Sequence, residues 1–383
     1  MSPLPPHLRP RGRGAVSNAS GRYEALAREL ADDGWGVHDA EAGQTATEVL
    51  PYKARSALTY NTSPDLGFDR TLNPYKGCEH GCFYCYARPK HAYLGLSPGL
   101  DFETKIFAKP DAPALLAREL AKSRYRPKPI VIGADTDAYQ PTERDLKITR
   151  GVLETLLACR HPAAIVTKGA LVARDVDLLA EMARFGLVKV TLSVTTLDHR
   201  LARAMEPRAS TPERRLAALQ TLSWAGVPTA IAAAPLIPGL NDHELEAILT
   251  RGRDAGAKEA FYTVMRLPHE VKDIAREWLA ANRPDAAKRV MSLVHQMREG
   301  HDNAPHFGTR MTGTGPYAAL IAQRFTAAIR RLGLNRRTLA LRTDLFERPA
   351  LDGQLGLFDA DAAAAAMART NTPTRTEPHD EME

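Results

Sequence analysis

The sequence feature that most constrains this chain is a group of three cysteines within eight residues, Cys78, Cys82 and Cys85, spaced C-x3-C-x2-C. Only one other cysteine, Cys159, occurs in the 383 residues. A short loop flanked by glycine lets three thiolates point inward, where they bind three corners of a [4Fe-4S] cube. The fourth iron then has no protein ligand and is open to a molecule that reacts. The loop therefore predicts an iron–sulfur site with an open iron.

Three other uses of these cysteines compete with the cluster. A structural zinc site takes four ligands, and because there is no second cysteine pair, the fourth would have to be His80 or His91. A ferredoxin-type electron carrier needs a fourth cysteine for its cluster. Disulfides have little use in an intracellular chain with few cysteines. We favour the cluster and keep a non-catalytic iron–sulfur or zinc binding module as the alternative.

Length and composition fit one large domain with extensions. The chain is 44% hydrophobic and 25% charged, which is ordinary for a soluble globular protein. No run approaches the roughly 18 apolar residues of a membrane helix. The first residues also lack the apolar core of a secretory signal. We therefore expect a cytoplasmic protein with no membrane partner, and a net charge of +6 that permits nucleic-acid binding without demonstrating it.

Alternating strand-like and helix-like runs predict an α/β fold. The units recur at a spacing of roughly 30 residues, the length of a βα unit. The predicted strands are Arg70–Tyr75, Pro129–Ile132, Ala164–Thr167, Val188–Val194, Thr229–Ala232 and Ala260–Val264. This alternation is typical of a parallel sheet, closed or partly closed into a barrel. The cysteine loop follows the first strand, so it lies at the carboxyl ends of the strands, where such folds carry their reactive site.

The pattern divides the chain into four predicted segments. These are a flexible or irregular N-terminal extension over 1–60, a core barrel over 61–270, a helical extension over 271–345 and a mobile tail over 346–383. The helical extension is predicted from apolar residues at helical spacing. They are Val271, Ile274, Ala275 and Trp278, and then Val290, Leu293, Val294 and Met297.

Several short phrases of the sequence resemble one family. Tyr84, the aromatic residue before the third cysteine, completes a pattern that recurs in radical S-adenosylmethionine (SAM) enzymes. The phrases are Asn73–Cys78, Cys85–Arg88, Asp137–Glu143 and Met205–Arg208. Together they resemble the spore-photoproduct-lyase-related group of the radical SAM superfamily, often called "DNA repair photolyase"-like. The resemblance implies a partial (β/α)6 TIM-like barrel with a helical C-terminal extension.

The resemblance also implies the cofactors and the chemistry. Cys78, Cys82 and Cys85 would bind a [4Fe-4S] cluster whose open iron chelates the amino and carboxylate groups of SAM. An electron donor such as flavodoxin or ferredoxin would supply one electron, and SAM would be cleaved to a 5′-deoxyadenosyl radical. That radical abstracts hydrogen from the substrate, for which a nucleic acid is one class and a small metabolite or protein side chain another. The implied enzyme is of lyase or transferase type, and the resemblance assigns no catalytic residue.

Polar residues at the predicted strand ends are the candidates for binding SAM. The superfamily's loop after the second strand contacts the amino group of SAM, which points to Asp135, Thr136 and Asp137, although a polar Asx turn explains them equally. The candidates elsewhere are Tyr84, Ser193, Glu206 and Arg208. A buried Glu206–arginine pair, with Arg208 or Arg214, would anchor SAM or brace a helix.

Some residues near these positions have a weaker assignment. Tyr86, Tyr139 and Arg266 are candidates for the pocket or for packing, and Lys168 would pair with a carboxylate or phosphate. One departure from the family concerns the hydrogen donor, since spore photoproduct lyase uses an extra cysteine not far beyond the cluster loop. The spare Cys159 is predicted at the end of a helix that leads into the third strand, which places it at the opposite end of the barrel as a small buried hydrophobe. Thymine-dimer reversal is therefore in doubt, and the substrate is left open.

Overall fold

A computed structural model of the protein describes residues 12–24 and 46–350. Within these ranges the strands are β1 (Glu48–Pro51), β2 (Leu58–Tyr60), β3 (Arg70–Leu72), β4 (Tyr75–Lys76), β5 (Lys105–Ala108), β6 (Ile130–Ile132), β7 (Ala163–Thr167), β8 (Val188–Ser193), β9 (Thr229–Leu236) and β10 (Glu259–Val264). The α-helices are α1 (Asp101–Thr104), α2 (Ala112–Leu120), α3 (Glu143–Leu146), α4 (Ile148–Ala158), α5 (Val176–Arg184), α6 (His199–Met205), α7 (Pro212–Trp224), α8 (Leu245–Asp254), α9 (Val271–Asn282), α10 (Pro284–Gln296) and α11 (Gly315–Leu332). Short 3-10 helices cover Arg88–Leu94, Ala170–Asp175 and Asp242–Glu244.

The main sheet has seven strands in the order β10-β9-β8-β7-β6-β3-β2. Every neighbouring pair is parallel except β2 and β3, which are antiparallel. The six parallel strands are the six that the sequence predicts, so the prediction of an α/β fold with a parallel sheet is confirmed. In the described residues the edge strands β10 and β2 do not pair with each other. The described residues therefore form no closed barrel, and the antiparallel strand β2 occupies one edge of the sheet. The partial barrel stays a prediction.

Helices between the parallel strands cover the sheet. All three residues of β6 are buried, as expected of a parallel strand that is covered on both faces. Helix α7 begins as predicted, because the Thr211 hydroxyl accepts a hydrogen bond from the Arg214 amide and Pro212 occupies the first turn. Its buried face includes Leu219 and Leu222, which join the main apolar core.

A second, three-stranded sheet in the order β1-β5-β4 supports the cysteine loop. Strand β4 ends directly before Gly77, and its pairing with β5 sets Tyr75 opposite Ala108. The Cys78 amide then donates to the Phe102 carbonyl at 2.9 Å. The loop thus begins directly after β4 and is fastened to α1 at its first cysteine. These strands have two to four residues each, too short to give a pattern in the sequence.

Helices α9 and α10 confirm the two predicted helical patterns, and both contribute to one apolar cluster with Cys82 and Phe83 of the cysteine loop. Trp278 of α9 stacks on Phe83 of the cysteine loop, with ring centroids 4.0 Å apart and planes at 6°. The Trp278 indole N–H donates to the Ala204 carbonyl at 3.0 Å. The helices therefore form one wall of the site. None of the described helices has the length and apolar character needed to cross a membrane.

The two ends of the described chain differ from the sequence expectation. Residues 12–24 have an irregular backbone, as expected, but they are packed rather than free, with Ala15 only 1% exposed. Phe346, the first residue of the predicted mobile tail, packs against His161 at 5.4 Å between ring centroids. Residues 351–383 of that tail, and residues 1–11 and 25–45 of the N-terminal extension, lie outside the described residues. Cys159 is 3% exposed and belongs to the main core, as predicted.

Candidate active site

The cysteine loop turns tightly through two glycines. Gly77 and Gly81 have φ angles of 79° and 66°, a left-handed conformation that glycine adopts without strain. Between and after these turns lie Cys78 and Cys82, both buried, and Cys85, which is half-buried. All three carry free thiols. The loop therefore places three unpaired thiols of one short segment in a largely water-free environment.

The three thiols interact electrostatically with one another. Burial is the largest cause that raises the pKa of the Cys78 thiol, and the neighbouring Asp137, Cys82 and Cys85 raise it further. Burial also raises the pKa of Cys82 to about 12, despite the opposing charge of Lys168. Thiolates at this position need a bound cation to compensate for burial. Soft thiolate ligands suit iron–sulfur clusters and zinc, so the donor set fits the predicted cluster.

The two histidines considered as a fourth zinc ligand are engaged elsewhere. His80 Nδ1 lies 3.3 Å from the Asp137 carboxylate, and His91 Nε2 lies 3.1 Å from the Lys105 carbonyl. In residues 12–24 and 46–350, no three His, Cys, Asp or Glu side chains converge closely enough to bind a single metal ion. In a cubic cluster each thiolate binds a different iron, so such convergence is not required. This arrangement favours the cluster over zinc.

Arg88 fixes the backbone of the loop. Its side chain is fully buried, and its Nε donates to the Cys82 carbonyl at 2.9 Å. One terminal nitrogen donates to the Pro98 and Gly99 carbonyls at 3.0 and 2.9 Å, and the other pairs with the Glu103 carboxylate. The sequence phrase Cys85–Arg88 contains this residue, but sequence reasoning gave it no role. Only the fold shows that its donors are used on the loop.

A buried network lies next to the loop and joins two of the predicted SAM residues. The Tyr84 hydroxyl donates to the Glu206 carboxylate, which also accepts from the Thr195 hydroxyl at 2.5 Å and pairs with Arg215. Burial alone would raise the pKa of Glu206, but the charges of Arg215 and Lys168 hold it at about 2. Glu206 is therefore a carboxylate at neutral pH, with two cations beside it.

The arginine partner of Glu206 is Arg215, which sequence reasoning missed. The sequence pointed to Arg208 or Arg214 instead. Arg214 is exposed on α7, while Arg215 is 1% exposed and also donates to the Ser193 carbonyl at 2.9 Å. The spacing of Arg215 from Leu219 and Leu222, four and seven residues later, places it on the buried face of α7. That helical spacing was the available signal.

Lys168 lies between the loop and this network. Burial lowers the pKa of its ammonium group, but nearby Cys82 and Glu206 raise it above its usual value. Its Nζ is 5.7 Å from the centre of the Tyr84 ring. Lys168 is thus a cation between the Cys82 thiol and a buried carboxylate, unlike the surface position that a lysine usually takes.

The loop after β6 is tied to its surroundings by its predicted SAM residues. Asp137 accepts from the Thr167 hydroxyl at 2.6 Å and from the Lys168 and Tyr139 amides at 2.7 and 2.8 Å. The Thr136 hydroxyl donates to the Tyr75 carbonyl at 2.7 Å. Asp137 therefore shapes the loop, as an Asx turn would, and both of its oxygens are already bonded within the chain.

The remaining predicted SAM residues lie around the same site without touching one another. Asp135 pairs with Lys90 at 2.8 Å, and the Ser193 hydroxyl donates to the Ala234 carbonyl at 2.8 Å. Arg208 pairs at 3.0 Å with Glu79, a residue of the cysteine loop that sequence reasoning missed. The structure thus brings Tyr84 and Glu206 into direct contact but places Asp135, Ser193 and Arg208 separately.

The three candidates for pocket residues have different surroundings. Tyr139 is buried, and its hydroxyl donates to Asp175 at 3.1 Å, so it serves packing. Tyr86 is 45% exposed directly after Cys85, and its hydroxyl donates to the Ala134 carbonyl. The Arg266 guanidinium lies 5.6 Å from the centre of the Tyr86 ring. Tyr86 and Arg266 therefore share one accessible surface beside the cysteine loop.

Comparison with known proteins connects this site to a family. The model of the radical SAM superfamily matches residues 72–251, which include the whole cysteine loop and the Glu206 network. The chain is 35% identical over 259 residues to an uncharacterised protein of Mycobacterium tuberculosis, covering 66% of this chain and 75% of that protein. It is also 30% identical over 197 residues to an uncharacterised protein of Methanocaldococcus jannaschii, covering 51% and 71%.

The fold is similar to that of spore photoproduct lyase. A mutant of that enzyme with bound AdoMet and dinucleoside spore photoproduct has a TM-score of 0.55 and 14% identity, covering 80% of this chain and 85% of the other. A second mutant has a TM-score of 0.53 over 82% of this chain and 86% of the other. At this identity the likeness concerns the fold alone. From the family model and the relatives together, the chain belongs to the radical SAM superfamily, whose enzymes use a [4Fe-4S] cluster and S-adenosylmethionine.

Proposed function

We propose that Cys78, Cys82 and Cys85 bind the [4Fe-4S] cluster of a radical SAM enzyme that abstracts hydrogen from its substrate. The observation that carries this proposal is the group of three free thiols, two buried and one half-buried, on a loop that follows parallel strand β3. When bound, the cluster and SAM supply reductive cleavage to a 5′-deoxyadenosyl radical. A reducing cytoplasm suits such a cluster, and a flavodoxin or ferredoxin suits the role of electron donor. The net reaction is of lyase or transferase type.

The residues of this chain orient the cofactors and keep water out. We assign SAM contacts to Tyr84, Asp135, Thr136, Asp137, Ser193, Glu206 and Arg208, at the carboxyl ends of the parallel strands. Lys168 and Glu206 offer opposite charges within the buried network, which suits a zwitterionic ligand with both an ammonium and a carboxylate group. The parallel strands are taken to curve as a partial (β/α)6 barrel, with Trp278 and Phe83 as an apolar wall that excludes water.

Nucleic acid is the substrate class that we favour. Tyr86 presents an exposed ring beside the cluster loop, and Arg266 lies over it, so the surface offers stacking together with positive charge. The Arg266 Nε is buried and has no hydrogen-bond partner in the described residues. A structural neighbour, spore photoproduct lyase, has been solved with a dinucleoside photoproduct. A small metabolite or a protein side chain is the second candidate class.

Anaerobic spectroscopy tests the radical SAM assignment. The chain is reconstituted with iron and sulfide and reduced, and its electron paramagnetic resonance spectrum is recorded with and without SAM. We expect a reduced [4Fe-4S] signal that shifts when SAM is added. Cys82→Ala should remove the signal, whereas the matched variant Cys159→Ala should keep it. One zinc per chain and no sulfide would instead support a non-catalytic module.

Salt dependence tests the substrate class. Binding of a single-stranded oligonucleotide should weaken steeply with added salt, because phosphate contacts release counterions. Arg266→Gln should weaken binding and reduce that salt dependence, while Arg184→Gln, on a side chain 77% exposed, should not. Unchanged binding in Arg266→Gln would count against a nucleic acid at this surface.

A further inference from the structure

The N-terminal strap, defined as residues 12–24, lies directly on the cysteine loop. A Cβ placed on Gly14 would lie 1.6 Å from the carbonyl oxygen of Gly81, so the two backbones touch where only glycine fits. The next residue, Ala15, packs in one apolar cluster with Cys82 and Phe83. The strap therefore covers a ligand cysteine and one of the loop's two glycine turns.

A single buried carboxylate joins the strap to the loop. Glu103 is fully buried, and its two oxygens accept from the Gly14 and Ala15 amides at 2.9 and 2.8 Å. The same carboxylate pairs with Arg88, whose Nε holds the Cys82 carbonyl. Glu103 thus connects the strap, through Arg88, to the backbone of a cluster ligand.

The strap is also fastened to other atoms of α1. The Asn18 side chain exchanges two hydrogen bonds with Asp101, at 3.2 and 3.0 Å. The Arg13 guanidinium donates to the Glu103 carbonyl at 2.9 Å. Asp101 lies only two residues before Glu103, whose carboxylate binds the Gly14 and Ala15 amides. The strap is therefore attached on either side of the Gly14 contact.

Its later residues reach the C-terminal helices. The Ser17 hydroxyl donates to the Glu277 carboxylate at 2.6 Å, and Arg22 pairs with Glu270 at 2.7 Å. Because α9 also supplies Trp278, the strap, the loop and this helix enclose Phe83 together. Separate parts of the chain, before and after the sheet, meet at the cysteine loop.

We propose that the N-terminal strap is part of the cluster site and that Glu103 is a positioning residue for the cysteine loop. The strap fixes the loop backbone before any cluster is present and then shields the bound cluster from water and dioxygen. Its shielding role rests on the proposed function, since it requires a cluster in the loop. Its positioning role does not, because the contacts exist in the chain itself.

Hydrogen exchange of the full-length, cluster-free protein tests the positioning role. Gly14→Ala forces the strap off the loop, whereas a Cβ on Gly67, an exposed glycine, would meet no atom of the described residues within 4 Å. We expect the amides of Gly81 and Phe83 to exchange about tenfold faster in Gly14→Ala, from the loss of buried hydrogen bonds that hold the loop. Gly67→Ala should exchange like the wild type. Equal exchange in both variants would overturn the proposal.

Air exposure of the reconstituted protein tests the shielding role. The iron–sulfur absorbance of Gly14→Ala should bleach about tenfold faster than that of Gly67→Ala, following the local opening. If Gly14→Ala does not fold, both measurements are made on Arg13→Gln instead. This variant removes the hydrogen bond from Arg13 to the Glu103 carbonyl and introduces no steric clash. Wild-type exchange and wild-type bleaching in Arg13→Gln would then overturn the proposal.

The two readouts separate this proposal from the proposed function. If the wild-type chain never assembles a cluster, the proposed function fails, and the exchange experiment still reports on the strap. If the cluster forms and responds to SAM while exchange at Gly81 is indifferent to Gly14→Ala, the strap proposal alone fails.

Discussion

The hydroxyl of Tyr84 donates a hydrogen bond to the carboxylate of Glu206, 122 residues later in the chain. This bond joins the residue before the third cysteine of the loop to the end of α6, and through Arg215 to α7. The cysteine loop is therefore coupled to the carboxyl ends of the strands by buried, charged contacts. Removing one partner of a buried ion pair leaves the other as an unpaired buried charge and lowers the free energy of unfolding, so single substitutions test these contacts.

Replacing Glu206 with glutamine should destabilise the protein strongly. The substitution leaves Arg215 as a buried cation without its carboxylate, which costs about 3–5 kcal/mol. Glu213→Gln is the matched control, because Glu213 is 45% exposed and pairs only with His199 on the surface, a pair worth at most about 1 kcal/mol. Urea unfolding of the cluster-free chain measures both. Equal unfolding free energies for the two variants would contradict the buried charge pair.

Replacing Arg88 with lysine should loosen the cysteine loop. Lysine keeps the charge opposite Glu103 but loses the planar set of donors that reaches Cys82 and Gly99. We expect a loss of about 3 kcal/mol in unfolding free energy, from several buried hydrogen bonds, and a lower iron content after reconstitution. Arg184→Lys, at a side chain 77% exposed, should change neither. Full iron content and wild-type stability in Arg88→Lys would show that the loop does not depend on this residue.

The protein should lose stability as the pH falls below neutral because of His161. Burial lowers the pKa of His161 to about 4, while an unfolded chain binds the proton near the usual value of about 6.5. Between these values the unfolded state holds more protons, so stability is highest above about pH 6.5 and declines by up to about 3 kcal/mol towards pH 4. Urea unfolding over this range should show a flatter pH dependence in His161→Gln.

The control for this pH effect is His199→Gln, at a histidine whose side chain is 61% exposed. It should keep the pH dependence of the wild type, because the substitution lies on the surface and leaves the buried surroundings of His161 unchanged. If the unfolding free energies of the wild type and of His161→Gln fall in parallel with pH, other groups cause the acid sensitivity.

Replacing Cys159 with alanine should leave the cluster intact. Cys159 is buried in the main core at the end of α4, before strand β7, at the opposite end of the sheet from the cysteine loop. The loss of one sulfur atom from the core should cost about 1 kcal/mol. Iron content and the reduced spectrum should match the wild type. A clear loss of iron in Cys159→Ala would mean that the fourth cysteine takes part in the site after all.

Local sequence patterns were sufficient to predict the six parallel strands and to single out the cysteine loop. The β-branched run at Val188–Val194 became β8, and the threonine and proline at positions 211 and 212 start α7. These features depend on side-chain period and on backbone capping, which act over a few residues. The sequence also placed Cys159 correctly, since a helix end that leads into a parallel strand lies away from the carboxyl ends.

The partners of the charged residues could not be predicted in this way. Glu206 was expected to pair with Arg208 or Arg214 but pairs with Arg215, because the rotation of α7 against the sheet decides which arginine is buried. The N-terminal segment was expected to be flexible or irregular, but it is packed, through the contact of Gly14 with Gly81 and the hydrogen bonds of its backbone to the distant Glu103.

The sequence by itself determined the α/β class and the positions of the six parallel strands, and it singled out the three cysteines of the loop as candidate ligands, because cysteine spacing and side-chain period are local properties. The tertiary structure alone decided that the sheet stays open and that Arg88, Glu103 and Arg215 support the loop. It also decided that the first described residues close over Cys82. These features depend on buried charges and backbone contacts between residues about a hundred positions apart, and such pairs are set by packing rather than by any local pattern.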